Sequence, residues 1–133
     1  MDRKAYYRGL FLIGALWNWV AGLLFFFWSD AIFAFLGMKG NNYPGVMQMA
    51  MALVFVFGIG YYWVSQDLSM NHDIVKLGII AKMLVFFIFS YHVFIGNIPM
   101  QLGLSGVVDL AFAVLFFEFL MNMKKARARV NNP

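Results

Sequence analysis

Four apolar stretches, roughly Gly9–Trp28, Val46–Val64, Leu77–Ile95 and Leu102–Met121, fill most of this 133-residue chain. Each comes close to the about 20 mainly apolar residues that a helix needs to cross the hydrocarbon layer of a bilayer. Hydrophobic residues make up 63% of the chain and charged ones 12%, which leaves almost nothing for a soluble domain. In lipid the backbone polar groups are satisfied within helices, so the spans read as helical. The expected fold is all-α: a polytopic membrane protein built as one four-transmembrane-helix bundle over 1–133.

Charge placement sets the expected topology. Arg3, Lys4 and Arg8 precede the first span, and Lys124, Lys125, Arg127 and Arg129 follow the last. An even number of spans puts both ends on one side, and the positive-inside rule makes that side cytoplasmic. The middle connection, Ser65 to Asp73, then faces the cytoplasm as well. The outer connections agree: Lys39 is the only basic residue between Ser29 and Val46, and Ile95–Leu102 has none. The first apolar run is too long for a signal-peptide core and no small-x-small cleavage site follows Trp28, so it is read as an uncleaved helix. Basic runs that flank membrane spans bind anionic lipid, and with no recognition motif or stacking platform beside them they do not point to nucleic acid.

The connections carry their own signals. Ser29-Asp30 suits a helix cap, and Ala31–Leu36 is apolar and ended by Gly37. That piece is too short to span and is expected to form a short interfacial helix between helices 1 and 2. Lys39–Gly45 reads as a turn-rich loop, Asn71 or Asp73 as the cap of the third helix, and Pro99 as the turn before the fourth. Trp17, Trp19, Trp28, Tyr61, Tyr62 and Trp63 lie partly at span ends, as an aromatic belt would.

Polar residues inside the spans are the candidates for chemistry. At about 100° per residue, Gly14, Asn18 and Gly22 share one stripe of helix 1. Gly78 and Lys82 share one of helix 3, and Gly106, Asp109 and Ala113 one of helix 4. Small residues mark close helix approach, so Asn18, Lys82 and Asp109 are expected to face the interior. A charge at such depth costs about 2.5–3.5 kcal/mol unless partnered. A Lys82–Asp109 pair with Asn18 bridging is the economical solution. Side chains lean toward their helix N-terminus, which draws Lys82 and Asp109 apart, so the two are expected within reach of each other directly or through Asn18 or a water.

The remaining candidates are secondary. Glu118 lies about 180° around helix 4 from Asp109, with Asn122 on its own face; it reads as an interface residue, a partner of a terminal Lys or a subunit contact. Gln48, Ser90 and His92 read as polar caps near outer span ends. His92 and His72 fall on opposite sides of the membrane, which excludes a bis-His haem within one chain. His72 with Asp67 and Asp73 reads as a solvated capping loop rather than a metal site. No cofactor or metal is expected. Cysteine is absent, which removes thiolate chemistry. With no nucleophile–base arrangement, phosphate-binding Gly loop or paired inward carboxylates, the chain is read as no enzyme.

Leu16-Trp17-Asn18, Leu36-Gly37, Phe57-Gly58-Ile59-Gly60-Tyr61, Asp67, Leu77-Gly78 through Lys82, and Asp109-Leu110-Ala111-Phe112-Ala113 resemble segments of small bacterial four-helix membrane proteins, similar in outline to the DoxX-like proteins. The resemblance covers nearly the whole chain. It implies a bacterial inner-membrane setting and no assigned reaction. The first helix lacks the membrane-embedded Glu of the small multidrug transporters. Two functions are expected on these grounds. The first is a non-enzymatic accessory or self-associating membrane component whose partners are the bilayer and a second copy or larger complex. The alternative is a small transporter or channel lined by Asn18, Lys82 and Asp109.

The topology has a direct test. Reporter fusions at Asn42 and at the C-terminus should report opposite faces of the membrane; the same face for both would refute the four-span arrangement.

Overall fold

The computed structural model describes residues 2–132. They form four helices and no strand: α1 (Arg3–Phe35), α2 (Pro44–Gln66), α3 (His72–Phe94) and α4 (Met100–Asn131). All four are long and apolar enough to cross a membrane.

The helices outrun the expected spans at their ends. α1 begins at Arg3, where the Asp2 carboxylate accepts the Lys4 amide at 3.0 Å. α4 continues ten residues past Met121 through the basic run to Asn131. Asn71 stands at the start of α3, yet it makes no side-chain capping bond and adopts the left-handed conformation. Asp73 sits in the first turn, paired with Lys76 at 2.7 Å. Pro44 opens α2 inside the segment expected to be loop, as its fixed φ allows. α1 and α3 end alike. Gly37 (φ 72°) and Gly96 (φ 78°) take the left-handed conformation. The Met38 amide returns to the Phe33 carbonyl and the Asn97 amide to the His92 carbonyl, both at 2.8 Å.

The chain after Trp28 is helical through Phe35 and continuous with α1 across a kink, where Trp28 leaves helical geometry (φ −128°, ψ 26°). No proline causes the kink. Asp30 does not cap; its carboxylate accepts the Asn41 amide at 3.0 Å and ties the end of α1 to the following loop.

α1 packs along α2 and α3 along α4, so the molecule is two helical hairpins laid against each other. Within each pair the backbones come close, and between pairs large rings fill the space. Gly58 of α2 shows the close approach: a Cβ there would stand 2.6 Å from the Trp19 ring and 3.1 Å from the Ala15 carbonyl oxygen. The rings lie toward the end that holds both termini. Phe11 of α1 stacks on Phe116 of α4 with centroids 4.7 Å apart and meets Phe119 edge-on at 4.9 Å. Tyr61 of α2 packs its edge on Phe116 at 5.0 Å, and the His72 ring of α3 stands perpendicular to Phe119 at 5.6 Å. Tyr61 is therefore core, not belt, and Gly78 of α3 makes room for it: a Cβ on Gly78 would lie 2.7 Å from the Tyr61 hydroxyl. Trp28 and Trp63 do face outward.

This packing predicts a contrast between two glycines. Gly58→Ala should cost about 1–3 kcal/mol, because the new methyl meets a large ring and a backbone oxygen. Gly9→Ala, whose methyl would meet nothing within 4 Å, should be neutral or gain up to about 1 kcal/mol of helix propensity. Thermal unfolding in one detergent compares them, and equal melting temperatures would refute the α1–α2 contact.

Candidate functional site

Lys82 sits at the middle of α3, one turn after Gly78, and its side chain enters the space between the two hairpins. Its Nζ donates to Asp109 Oδ1 of α4 at 2.6 Å and to Asn18 Oδ1 of α1 at 3.1 Å. Asn18 Nδ2 donates in turn to the Val54 carbonyl of α2 at 3.0 Å. One hydrogen-bonded cluster thus joins all four helices. Gly58, one turn beyond Val54, has no side chain and lets α1 come close at this level, where a Cβ would meet Trp19 and the Ala15 carbonyl oxygen.

Apolar and aromatic groups enclose the cluster. The Lys82 and Asp109 side chains are 5% and 14% exposed, and Asn18 is buried. The ammonium also stands 5.0 Å from the Phe112 ring centroid and 5.5 Å from that of Tyr61. Ring faces carry negative charge density and attract a cation at this range. A short N–H···O contact between opposite charges is among the stronger hydrogen bonds, and water does not screen it here. The ammonium therefore exchanges hydration for two oxygen acceptors and two π faces.

Of the expected arrangements, the structure has the direct one. Asn18 lies beside the ion pair and not between its members; the pair is direct. The tilt of the side chains is overcome by reach. With about 1.5 Å rise per residue, Lys82 and Asp109 differ in level by only about 5 Å, which an extended lysine spans.

The secondary candidates fall elsewhere. Glu118 accepts from the Tyr7 hydroxyl at 3.3 Å and from Asn122 Nδ2 at 3.4 Å, and Asn122 also donates to Tyr7 at 2.5 Å. This second cluster joins α1 to α4 near the chain ends. Gln48 reaches the Phe26 carbonyl at 3.4 Å, and His92 Nδ1 shares a hydrogen bond with the Asn97 amide group at 3.1 Å. The first links α2 to α1 and the second is local to the end of α3; both lie at the opposite end. In the α2–α3 connection Asp67 accepts the Ser69 amide and hydroxyl, and His72 Nε2 contacts the Leu68 carbonyl at 2.8 Å. Ser69's two bonds hold the Asp67 carboxyl below the ordinary carboxylate range. Among the described residues no group of three or more His, Cys, Asp and Glu converges as metal ligands would.

Tyr61, Phe112 and Tyr7 complete these clusters without having been singled out as partners. Helical spacing carried the signal. Val54, Gly58, Tyr61 and Ser65 step by four, three and four along α2, as Tyr7, Phe11, Gly14 and Asn18 do along α1.

No family model, curated protein or solved structure matches the chain, so no relative's residues bear on the cluster.

A double-mutant cycle tests the pair. Lys82→Met and Asp109→Leu should each lower stability by about 3 kcal/mol, since each strands a buried charge. The double variant should lose less than either single one. Additive losses in thermal unfolding would show that the two groups do not interact.

Proposed function

We propose that the chain is a non-enzymatic component of a bacterial inner membrane, an accessory or self-associating protein whose Asn18–Lys82–Asp109 cluster holds four transmembrane helices in register. The observation that carries this reading is the occupancy of the ammonium. Lys82 has an oxygen partner on each of two helices and a ring on each of two faces, and Asn18 uses both ends of its amide. A transported ion or bound substrate would have to displace these contacts. In this reading both termini and the α2–α3 connection face the cytoplasm, in line with the basic residues gathered there. The segment 29–35 lies at the opposite interface, where the kink at Trp28 turns it from the α1 axis. The likeness to DoxX-like proteins fits the same setting, and the partners are lipid and a second copy or a larger complex.

A second reading rests on Asp109. Only its Oδ1 takes part in the cluster's hydrogen bonds, and its side chain keeps 14% exposure. That is the one member from which a proton path would start.

Reconstitution separates the two. Vesicles carrying the protein and a pH-sensitive dye should leak protons no faster than protein-free vesicles. The Lys82→Met/Asp109→Leu double variant should still insert and self-associate, as counted by single-molecule photobleaching. Proton flux above the protein-free level that Asp109→Asn abolishes would overturn the structural reading in favour of transport. A single photobleaching step at every protein density would exclude self-association.

A further inference from the structure

A cavity of about 360 Å³ opens where the start of α1, the α2–α3 connection and the last turns of α4 meet. Its size falls within the range of small-ligand pockets, about 300–1,000 Å³. Arg3, Lys4 and Arg8 line it from α1. None of the three pairs with a carboxylate among the described residues. The single carboxylate in the wall is Asp67, so three positive charges and one negative leave the wall at +2. Asp67 is already engaged by the amide and hydroxyl of Ser69. Leu68 and Met123 supply an apolar wall beside the cations.

The geometry points to a binding site for the phosphate group of an anionic phospholipid, with Arg3, Lys4 and Arg8 on the phosphate and Leu68 and Met123 against the glycerol and upper acyl chain. Guanidinium groups match phosphate oxygens in a fork that a single ammonium does not offer. A basic pocket among helix ends at a membrane surface meets anionic headgroups at high local concentration. The site has a fixed floor. The Tyr7–Glu118–Asn122 cluster ties α1 to α4 beneath it, and the Tyr7 ring rests edge-on against Phe119 at 5.0 Å. A bound headgroup would draw the start of α1 and the α2–α3 connection together and so stabilise the contact between hairpins. The inference rests on the membrane-spanning reading but not on whether the Lys82 cluster is structural or transporting.

The test uses the full chain in a neutral detergent at fixed salt. Melting temperature is followed against added phosphatidylglycerol, phosphatidylcholine and inorganic phosphate. Phosphatidylglycerol should raise it, and the other two should not. Arg3→Gln/Arg8→Gln should weaken the apparent affinity by about tenfold or more. Lys124→Gln/Lys125→Gln, whose residues do not line the cavity, should leave it within about threefold. The altered arginines and lysines are all exposed, so both pairs should melt near the wild type without lipid. Equal losses from the two pairs would reduce the effect to diffuse charge and overturn the site. So would the absence of any phosphatidylglycerol effect, while a full response to inorganic phosphate would overturn the lipid assignment. Alkaline carbonate extraction keeps the premises apart. A chain released by carbonate refutes the membrane-spanning reading, whereas a resistant chain without lipid preference refutes only this site.

Discussion

An ammonium group held between four apolar helices has to be solvated by the protein, and the way this is done for Lys82 organises the rest of the structure. The group needs a counter-charge, a neutral acceptor and something polarisable on its remaining sides. Asp109, Asn18 and the rings of Tyr61 and Phe112 supply these from three other helices. Each supplier needs its own room. Tyr61 reaches the ammonium because Gly78 has no side chain, and α1, which carries Asn18, lies close to α2 where Gly58 has none. The glycines of this chain are therefore matched to the polar cluster as well as to helix contact.

The helices use two packing regimes for one physical reason. Within a hairpin, short connections keep neighbouring helices close, and small residues let the backbones approach. Between hairpins no connection does this except the α2–α3 turn, and the gap is filled by side chains of large volume. Phe11, Phe116, Phe119, Tyr7 and Tyr61 close it at one end in edge-on and stacked contacts. Such pairs contribute about 0.5–1.5 kcal/mol each beyond area burial. Toward the middle, the ion pair takes over from the rings.

Much of this was legible in the sequence, and what was not has specific causes. The four helices follow from run length and apolarity. The inward placement of Asn18, Lys82 and Asp109 follows from their stripes of small residues, because a residue's face is a local property. That Lys82 and Asp109 come within reach of each other was legible, but whether they meet directly or through Asn18 or a water was not. The choice depends on the relative level of two helices and on lysine reach, which are tertiary quantities, and the local tilt rule left both arrangements open. Tyr61 was misplaced in an aromatic belt because sequence position marks a span end but not a rotation; the Gly78 that receives it lies on another helix. The kink at Trp28 had no proline or glycine to announce it. The Tyr7–Glu118–Asn122 cluster was half visible, since Glu118 and Asn122 share a face, but Tyr7 stands 111 residues away in sequence from Glu118.

The worth of an internal ion pair lies in direction more than in stability. Replacing such a pair with apolar residues of similar volume is often neutral or favourable, so Lys82 and Asp109 add little to the total free energy when both are present. Apolar helix faces in a bilayer have no hydrophobic force to select one mutual rotation, because lipid tails are as apolar as leucine. The cost of a lone charge provides that selection. Rotating α3 or α4 by one residue would turn Lys82 or Asp109 by about 100° and separate the pair. Within the second hairpin only the register in which Lys82 meets Asp109 escapes the penalty, and docking of the two hairpins adds the Lys82–Asn18 bond. The same argument bears on the hairpins as assembly units. Asn18 lies in the first hairpin and finds a satisfied carbonyl partner there in Val54, whereas Lys82 finds Asp109 within the second. Each hairpin thus settles its own polar groups, and the Lys82–Asn18 bond at 3.1 Å is the point at which docking is read out.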